Sequence, residues 1–206
     1  ILFTISHGID VLKTANQISY EVKVDPHAFG TMKELYDILL ESIAKKGDIV
    51  VGNKVTSCEL NIPTLLQQTD MKILYIHRDP RDVVRSAGRK FNRPIDEYIS
   101  AWNNAIDTVL SVNSPNLCCI KFEDLVSKSD KARNKLEDFL GVTVDFEVEK
   151  LLAFDNQWVA NSSFGDVNTL FDEKAAYRWK NDLTDEVRRI DQFCRDRLTA
   201  LGYDSM

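Results

Sequence analysis

The chain has 206 residues, 44% of them hydrophobic and 28% charged, which is typical of one α/β domain with a substantial core. The net charge of -6 argues against non-specific nucleic-acid binding, and the local clusters of basic residues in the chain suit a small anionic ligand better than a duplex. The four cysteines form no C-x-x-C pair and no apolar run is long enough to span a membrane. We therefore expect no metal site, no disulfide framework and no membrane span, and we predict a reducing compartment, the cytoplasm.

The first part of the chain predicts strands that alternate with helices. Residues 1–5 form a short apolar run that predicts a strand, and a turn follows at Ser6-His7-Gly8. Thr31 and Glu34 form a capping box that opens a helix, and Gly47 is expected to end it. Three more elements follow in chain order: a strand at 48–52, a short helix at 62–68 and an apolar strand at 73–76.

The second part of the chain continues this alternation. Pro94 begins a long helix whose apolar residues recur at helical spacing as far as Leu110. Three further elements complete the pattern: a strand at 117–122, a helix at 132–140 that stops at Gly141, and a helix from near Thr184 to Gly202. Short apolar strands separated by helices predict an α/β fold, a parallel β-sheet flanked by helices, in one domain over 1–206.

The strand at 73–76 runs directly into the charged segment His77-Arg78-Asp79-Pro80-Arg81-Asp82. Pro80 suits the first turn of a helix, whose positive N-terminal end favours a bound anion. Arg78 follows the carboxyl end of the strand, where open α/β sheets bind ligands, and Ser86 lies two turns along the predicted helix. We therefore predict that Arg78 and Ser86 bind a phosphate. The alternative is that the charged residues only pair with one another at a solvated helix start.

The triplet His77-Arg78-Asp79 also occurs in the catalytic loop of protein kinases. That loop requires an Asn five residues after the Asp, and this chain has Val84 there. The sequence also has no G-x-G-x-x-G loop and no Asp-Phe-Gly motif, so that it excludes a protein kinase.

Several segments around this motif together resemble sulfotransferases, enzymes that use 3′-phosphoadenosine 5′-phosphosulfate (PAPS). The segments are Gly52-Asn53-Lys54, the run 73–86, Ile120-Lys121-Phe122-Glu123-Asp124-Leu125, Leu136-Glu137-Asp138-Phe139-Leu140-Gly141, the run 161–165, Tyr177-Arg178-Trp179-Lys180 and Leu201-Gly202-Tyr203. Their order and spacing extend the resemblance over about 52–203, and the helix around Trp102 is similar to that of the bacterial and tyrosylprotein branches. The resemblance implies a P-loop NTPase-like sulfotransferase fold. It also implies PAPS, or its product 3′-phosphoadenosine 5′-phosphate (PAP), as cofactor, and a small molecule, carbohydrate or peptide as acceptor.

The resemblance also implies roles for individual residues. In that family an Arg and a Ser of the strand-to-helix motif bind the 3′-phosphate of the cofactor, and they match Arg78 and Ser86. A Lys near the transferred sulfuryl group matches Lys54, and a basic C-terminal segment near the cofactor phosphates matches Arg178 and Lys180. Sulfuryl transfer requires such cations where negative charge accumulates on the leaving phosphate. The alternative for the three residues outside the motif is an exposed surface cation.

The chain departs from the family around Gly8. The family's phosphosulfate loop carries Gly with Thr or Ser, whereas residues 6–12 lack that step and Asp10 adds a negative charge. The loop is either degenerate or incomplete, and because the chain does not begin with Met we expect a fragment or a processed product. Glu21 is the first candidate for the general base and His27 the second, with an exposed polar side chain as the alternative for each.

The sequence thus predicts a PAPS-dependent sulfotransferase that acts on a hydroxyl or amine acceptor. Two alternatives stay open. One is a degenerate member of the family that binds a nucleotide or a partner without catalysis, and the other is a P-loop-type kinase whose phosphate loop is missing from this sequence.

Overall fold

The computed structural model describes residues 30–44, 50, 52, 58–91, 94–146 and 173–206. The strand predicted at 1–5 and most of the strand predicted at 48–52 lie outside the described residues. So do four residues predicted for the site or its chemistry, which are Gly8, Glu21, His27 and Lys54.

Two parallel strands pair side by side, β1 (Ile73–His77) and β2 (Leu117–Lys121). Their register places Ile73 opposite Leu117. Parallel neighbours require a crossover connection, and here the crossover is helical. The pair confirms the predicted α/β fold with a parallel sheet.

Seven α-helices accompany the strands in the described ranges: α1 (Met32–Ile43), α2 (Ile62–Gln68), α3 (Pro80–Phe91), α4 (Ile95–Leu110), α5 (Phe122–Val126), α6 (Asp130–Leu140) and α7 (Asp185–Ala200). Short 3-10 turns occur at Glu59–Asn61, Glu173–Ala175 and Arg178–Asn181. The predicted capping box is confirmed, since the Thr31 hydroxyl accepts the N–H of Glu34 and the Glu34 carboxylate accepts the N–H of Thr31. None of these helices has both the length and the apolar composition needed to cross a membrane.

Three predicted boundaries are wrong. Strand β1 extends to His77, one residue beyond its predicted end. Helix α1 ends at Ile43, well before Gly47, because the backbone of Ala44 is already extended at φ -66° and ψ 139°. Strand β2 ends at Lys121, and Phe122 begins α5 instead of closing the strand. An apolar run shows that a segment is buried, but it does not show where the hydrogen-bonding pattern changes.

Helices α3, α4 and α7 share one hydrophobic core. Val84 of α3, Ile106 of α4 and both Ile190 and Leu198 of α7 are completely or almost completely buried. Each such side chain contributes roughly 1.5–3 kcal/mol of burial free energy. A second cluster packs β2 against α6 and consists of Cys118, Ile120, Ala132, Leu136 and Phe146. Because Val84 belongs to α3, the first core supports the helix that follows Arg78.

Candidate functional site

Arg78 and Asp79 form the connection between β1 and α3. Asp79 is completely buried, and its carbonyl accepts the N–H groups of Asp82 and Val83, each at 3.1 Å. Its own N–H donates to Oε1 of Glu123 at 3.0 Å. Moving the connection would break these buried bonds, so that they hold the backbone at Arg78 in place.

Arg81 is buried to 1% exposure beside this connection. Its Nε and Nη2 donate to the two carboxylate oxygens of Asp79 at 2.9 and 2.8 Å, and its Nη1 donates to Oδ1 of Asp191 at 2.7 Å. Nη2 also donates to the carbonyl of Asp204 at 2.8 Å, and the guanidinium lies 3.8 Å from the ring centroid of Trp179. Each nitrogen of this side chain is engaged, so that Arg81 is structural.

The 3-10 turn Arg178–Asn181 is held at the start of α3, because its backbone N–H groups donate to Asp82. Asp82 accepts the N–H of Trp179 at 2.9 Å and the N–H of Arg178 at 3.2 Å. The indole N–H of Trp179 donates to Asp79 at 3.0 Å. The structure therefore brings the two basic segments singled out in the sequence, which are far apart along the chain, to the start of α3.

Arg78 is less completely engaged than Arg81. Its side chain is 24% exposed, its Nη2 donates to the carbonyl of Ala175 and lies 3.7 Å from Oδ2 of Asp82, and its guanidinium covers the ring of Phe122 at 4.5 Å. Its Nε is buried and has no hydrogen-bond partner in the part of the chain that the structure describes. Among the described residues Arg78 therefore has one buried donor without a partner at the carboxyl end of β1, and the Nε of Arg85 is in the same state.

The charged residues at this helix start pair with one another, but they are not solvated. Arg81 pairs with Asp79, and Arg78 lies 3.7 Å from Asp82. Asp79, Arg81 and Asp82 are all buried. The alternative predicted that these charged residues pair with one another and that they are solvated. The pairing is present, but the solvation is wrong, because three of the four residues are buried.

Ser86 lies partly exposed on α3, two turns beyond the connection. Its neighbour Arg85 is buried and forms an ion pair with Asp182, which follows the 3-10 turn Arg178–Asn181. This pair holds the helix that carries Ser86 against the C-terminal segment.

The two predicted C-terminal cations have different surroundings. Nε of Arg178 donates to the carbonyl of Lys174 at 2.9 Å. Lys180 is exposed, with its ammonium 4.5 Å from the ring centroid of Tyr177 and 5.7 Å from that of Trp179. Tyr177 has a φ of 52°, in the left-handed region that is unfavourable for an aromatic residue. This sharp reversal begins the turn on which both cations lie.

Three buried polar side chains, His77, Tyr203 and Glu123, are hydrogen-bonded to one another next to the connection between β1 and α3. The sequence predicted no role for them. The Tyr203 hydroxyl donates to Oε2 of Glu123 at 2.8 Å and lies 3.1 Å from Nδ1 of His77. If the hydroxyl proton is assigned to the bond with Glu123, Nδ1 of His77 is assigned as the protonated ring nitrogen that donates to Tyr203. The other oxygen of Glu123 holds the backbone of Asp79.

Burial shifts the pKa values of the three hydrogen-bonded side chains His77, Tyr203 and Glu123. Burial, with a smaller contribution from Lys121, lowers the pKa of His77 to about 4. Burial also raises the pKa of Glu123 and, together with the Glu123 charge, the pKa of Tyr203. A Glu in the run Phe122-Glu123-Asp124 carries no local signal that it will be buried, which is why sequence reasoning missed it.

The structure thus places four of the predicted site residues, Arg78, Ser86, Arg178 and Lys180, on α3, the connection before it and the turn bound to it. The described ranges contain no cluster of His, Cys, Asp and Glu that could hold a metal ion.

Comparison with known proteins adds a family and a fold. The model of the sulfotransferase domain family matches residues 60–202. The sulfotransferase domain from the curacin biosynthetic pathway is 23% identical with a TM-score of 0.58, over 84% of this chain and 68% of that one. The sulfotransferase domain from the Synechococcus PCC 7002 olefin synthase is 21% identical with a TM-score of 0.52, over 75% of this chain and 58% of that one. At these identities the two structures show the fold alone. No curated protein matches the chain.

The structural role of Arg81 can be tested by unfolding in urea. Arg81→Met should lower the free energy of unfolding by about 3–5 kcal/mol, because it leaves the buried carboxylate of Asp79 without a cationic partner and removes one of the two arginines that pair with the buried Asp191. Arg188→Met is the matched control, since Arg188 and its partner Asp185 are exposed, and it should change the value by less than about 0.5 kcal/mol. A loss below about 1 kcal/mol for Arg81→Met would contradict the structural role.

The low pKa of His77 predicts that the free energy of unfolding decreases as the pH falls below about 6.5. The folded ring stays neutral down to about pH 4, whereas an unfolded His takes up its proton near pH 6.5. The stability contributed by His77 is therefore complete above pH 6.5 and is lost as the pH falls towards 4. Between pH 7 and 4.5 the wild-type chain should lose about 2–3 kcal/mol relative to His77→Gln. An NMR titration of the ring measures the pKa directly, and a midpoint near 6.5 would refute this prediction.

Proposed function

Because this chain belongs to the sulfotransferase domain family, we propose that it transfers a sulfuryl group from PAPS to a hydroxyl or amine acceptor. The observation that carries the proposal is the guanidinium of Arg78. It lies at the carboxyl end of β1, and its buried Nε lacks a partner among the described residues. An orphaned buried donor on a cation fits an anionic group such as the 3′-phosphate of the cofactor.

The electrostatics of the helix start support this assignment. A phosphate beside Arg78 would also meet the N-terminal end of the twelve-residue helix α3, which carries partial positive charge. The nearby carboxylates do not oppose it fully, because Asp79 is neutralised by Arg81 and Asp82 accepts two backbone N–H groups. Arg78 thus has fewer competing partners than Arg81, which is bound to two carboxylates.

The remaining roles complete the proposed site. Ser86 adds a hydroxyl to the 3′-phosphate contact, and Arg178 and Lys180 approach the cofactor phosphates from the turn that Asp82 holds. In the proposed reaction the acceptor oxygen or nitrogen attacks sulfur and the bond from sulfur to the 5′-phosphate oxygen breaks. Lys54 stabilises the charge on the leaving PAP, and Glu21 takes the acceptor proton.

A second candidate is a binding module that holds the nucleotide without transferring sulfur. The residues at 6–12 favour it, since they lack the Gly-Thr step of a phosphosulfate loop and include Asp10. PAP release from PAPS, measured with a phenol, a sugar hydroxyl and an aliphatic amine as acceptors, separates the two candidates. Tight PAP binding without release in any of these mixtures would favour the binding module. The family assignment leaves no observation in favour of the P-loop-type kinase.

Calorimetry with PAP and with adenosine 5′-phosphate (AMP) tests the cofactor assignment. PAP should bind more tightly than AMP, because only PAP carries the 3′-phosphate. Arg78→Ala should weaken PAP binding by about 1.5–3 kcal/mol, which is roughly 10-fold to 150-fold, and should leave AMP binding nearly unchanged.

Arg188→Ala, which removes an exposed cation from α7, is the control and should bind both nucleotides as the wild-type chain does. Equal affinities of the wild-type chain for PAP and AMP would contradict the proposed function.

A further inference from the structure

The carboxylate of Asp82 lies between the two segments assigned to phosphate binding. Oδ1 accepts the N–H of Trp179 at 2.9 Å, Oδ2 accepts the N–H of Arg178 at 3.2 Å, and the same Oδ2 lies 3.7 Å from Nη2 of Arg78. Arg78 also donates to the carbonyl of Ala175 in the same C-terminal segment. One side chain, 4% exposed, therefore contacts both basic segments.

We propose that Asp82 is a positioning residue that orients the guanidinium of Arg78 for the 3′-phosphate. Asp82 acts through Arg78 and does not contact the ligand itself, because its two oxygens already face protein donors. This inference rests on the proposed function, since it names the residue that holds the phosphate-binding side chain of that site.

The negative charge of Asp82 is needed for this role. Burial raises the pKa of Asp82, and the nearby Arg78 charge and the two backbone N–H groups oppose that rise. An amide in the same place has only one acceptor oxygen, whereas the N–H groups of Trp179 and Arg178 require an acceptor on each side. Asp82→Asn therefore loses one of the two hydrogen bonds to the backbone N–H groups of Arg178 and Trp179. It also loses the charge attraction that holds the guanidinium of Arg78.

The ion pair between Arg85 and Asp182 offers a matched control. It joins the same two segments, because Arg85 lies three residues after Asp82 on α3 and Asp182 follows the 3-10 turn. The ion pair given for Asp182 is with Arg85, whereas Arg78 lies next to Asp82. Asp182→Asn thus removes an ion pair between these segments without releasing Arg78.

A double-mutant cycle measured by calorimetry with PAP and AMP tests the proposal. Asp82→Asn should lower the affinity for PAP about tenfold and that for AMP less than about threefold, because only PAP carries the 3′-phosphate. In the Arg78→Gln background the same substitution should lower PAP affinity less than about threefold, because the side chain that Asp82 orients is gone. Asp182→Asn should leave the ratio of PAP to AMP affinity within about twofold.

Equal losses for both nucleotides, or a full tenfold loss in the Arg78→Gln background, would overturn the proposal and leave Asp82 a general structural role. A wild-type chain that prefers PAP, combined with an Asp82→Asn variant that keeps this preference, would refute the positioning role alone. A wild-type chain without any preference would refute the proposed function and the inference with it.

If circular dichroism shows that Asp82→Asn is unfolded, Asp82→Glu takes its place with the same ratio as readout. That variant keeps the charge and both acceptors but moves the carboxylate by one methylene. We expect the preference for PAP to fall at least about threefold, and an unchanged preference would refute the positioning role.

Discussion

The buried guanidinium of Arg81 imposes the constraint on which the rest of the structure depends. A charge inside a protein is costly unless it is paired and hydrogen-bonded. Arg81 meets this condition only when Asp79, Asp191 and the ring of Trp179 are all in place. These partners come from the connection before α3, from α7 and from the 3-10 turn Arg178–Asn181, so that distant segments must assemble around one side chain.

The three arginines near the start of α3, which are Arg78, Arg81 and Arg85, differ in how completely their side chains are paired. Arg81 has partners at all three nitrogens, and Arg85 pairs with Asp182. Arg78 donates to the carbonyl of Ala175, lies 3.7 Å from the carboxylate of Asp82 and covers the ring of Phe122. Its Nε, like that of Arg85, has no partner in the described part of the chain. The carboxylates at this acidic helix start already have cationic or N–H partners, so that they do not exclude the anion that we propose beside Arg78. In this proposal Arg81 stabilises the fold and Arg78 binds the ligand, three residues apart in one segment.

The sequence predicted those features that depend on neighbouring residues. The Thr31 capping box and the parallel strands follow from local patterns, and Arg78 could be singled out because it directly follows an apolar strand. The role of Arg81 could not be predicted, because its partner Asp191 lies 110 residues further along the chain. The burial of Glu123 was equally hidden, since its partner Tyr203 is 80 residues away and no spacing rule connects them.

A crystal structure of the chain with PAP bound tests the central claim most directly. We expect an oxygen of the 3′-phosphate at about 2.7–3.2 Å from the guanidinium of Arg78, with Arg81 still bound to Asp79 and Asp191. A 3′-phosphate bound away from Arg78, or held by an Arg81 that has left Asp79, would contradict the division of roles between these two arginines.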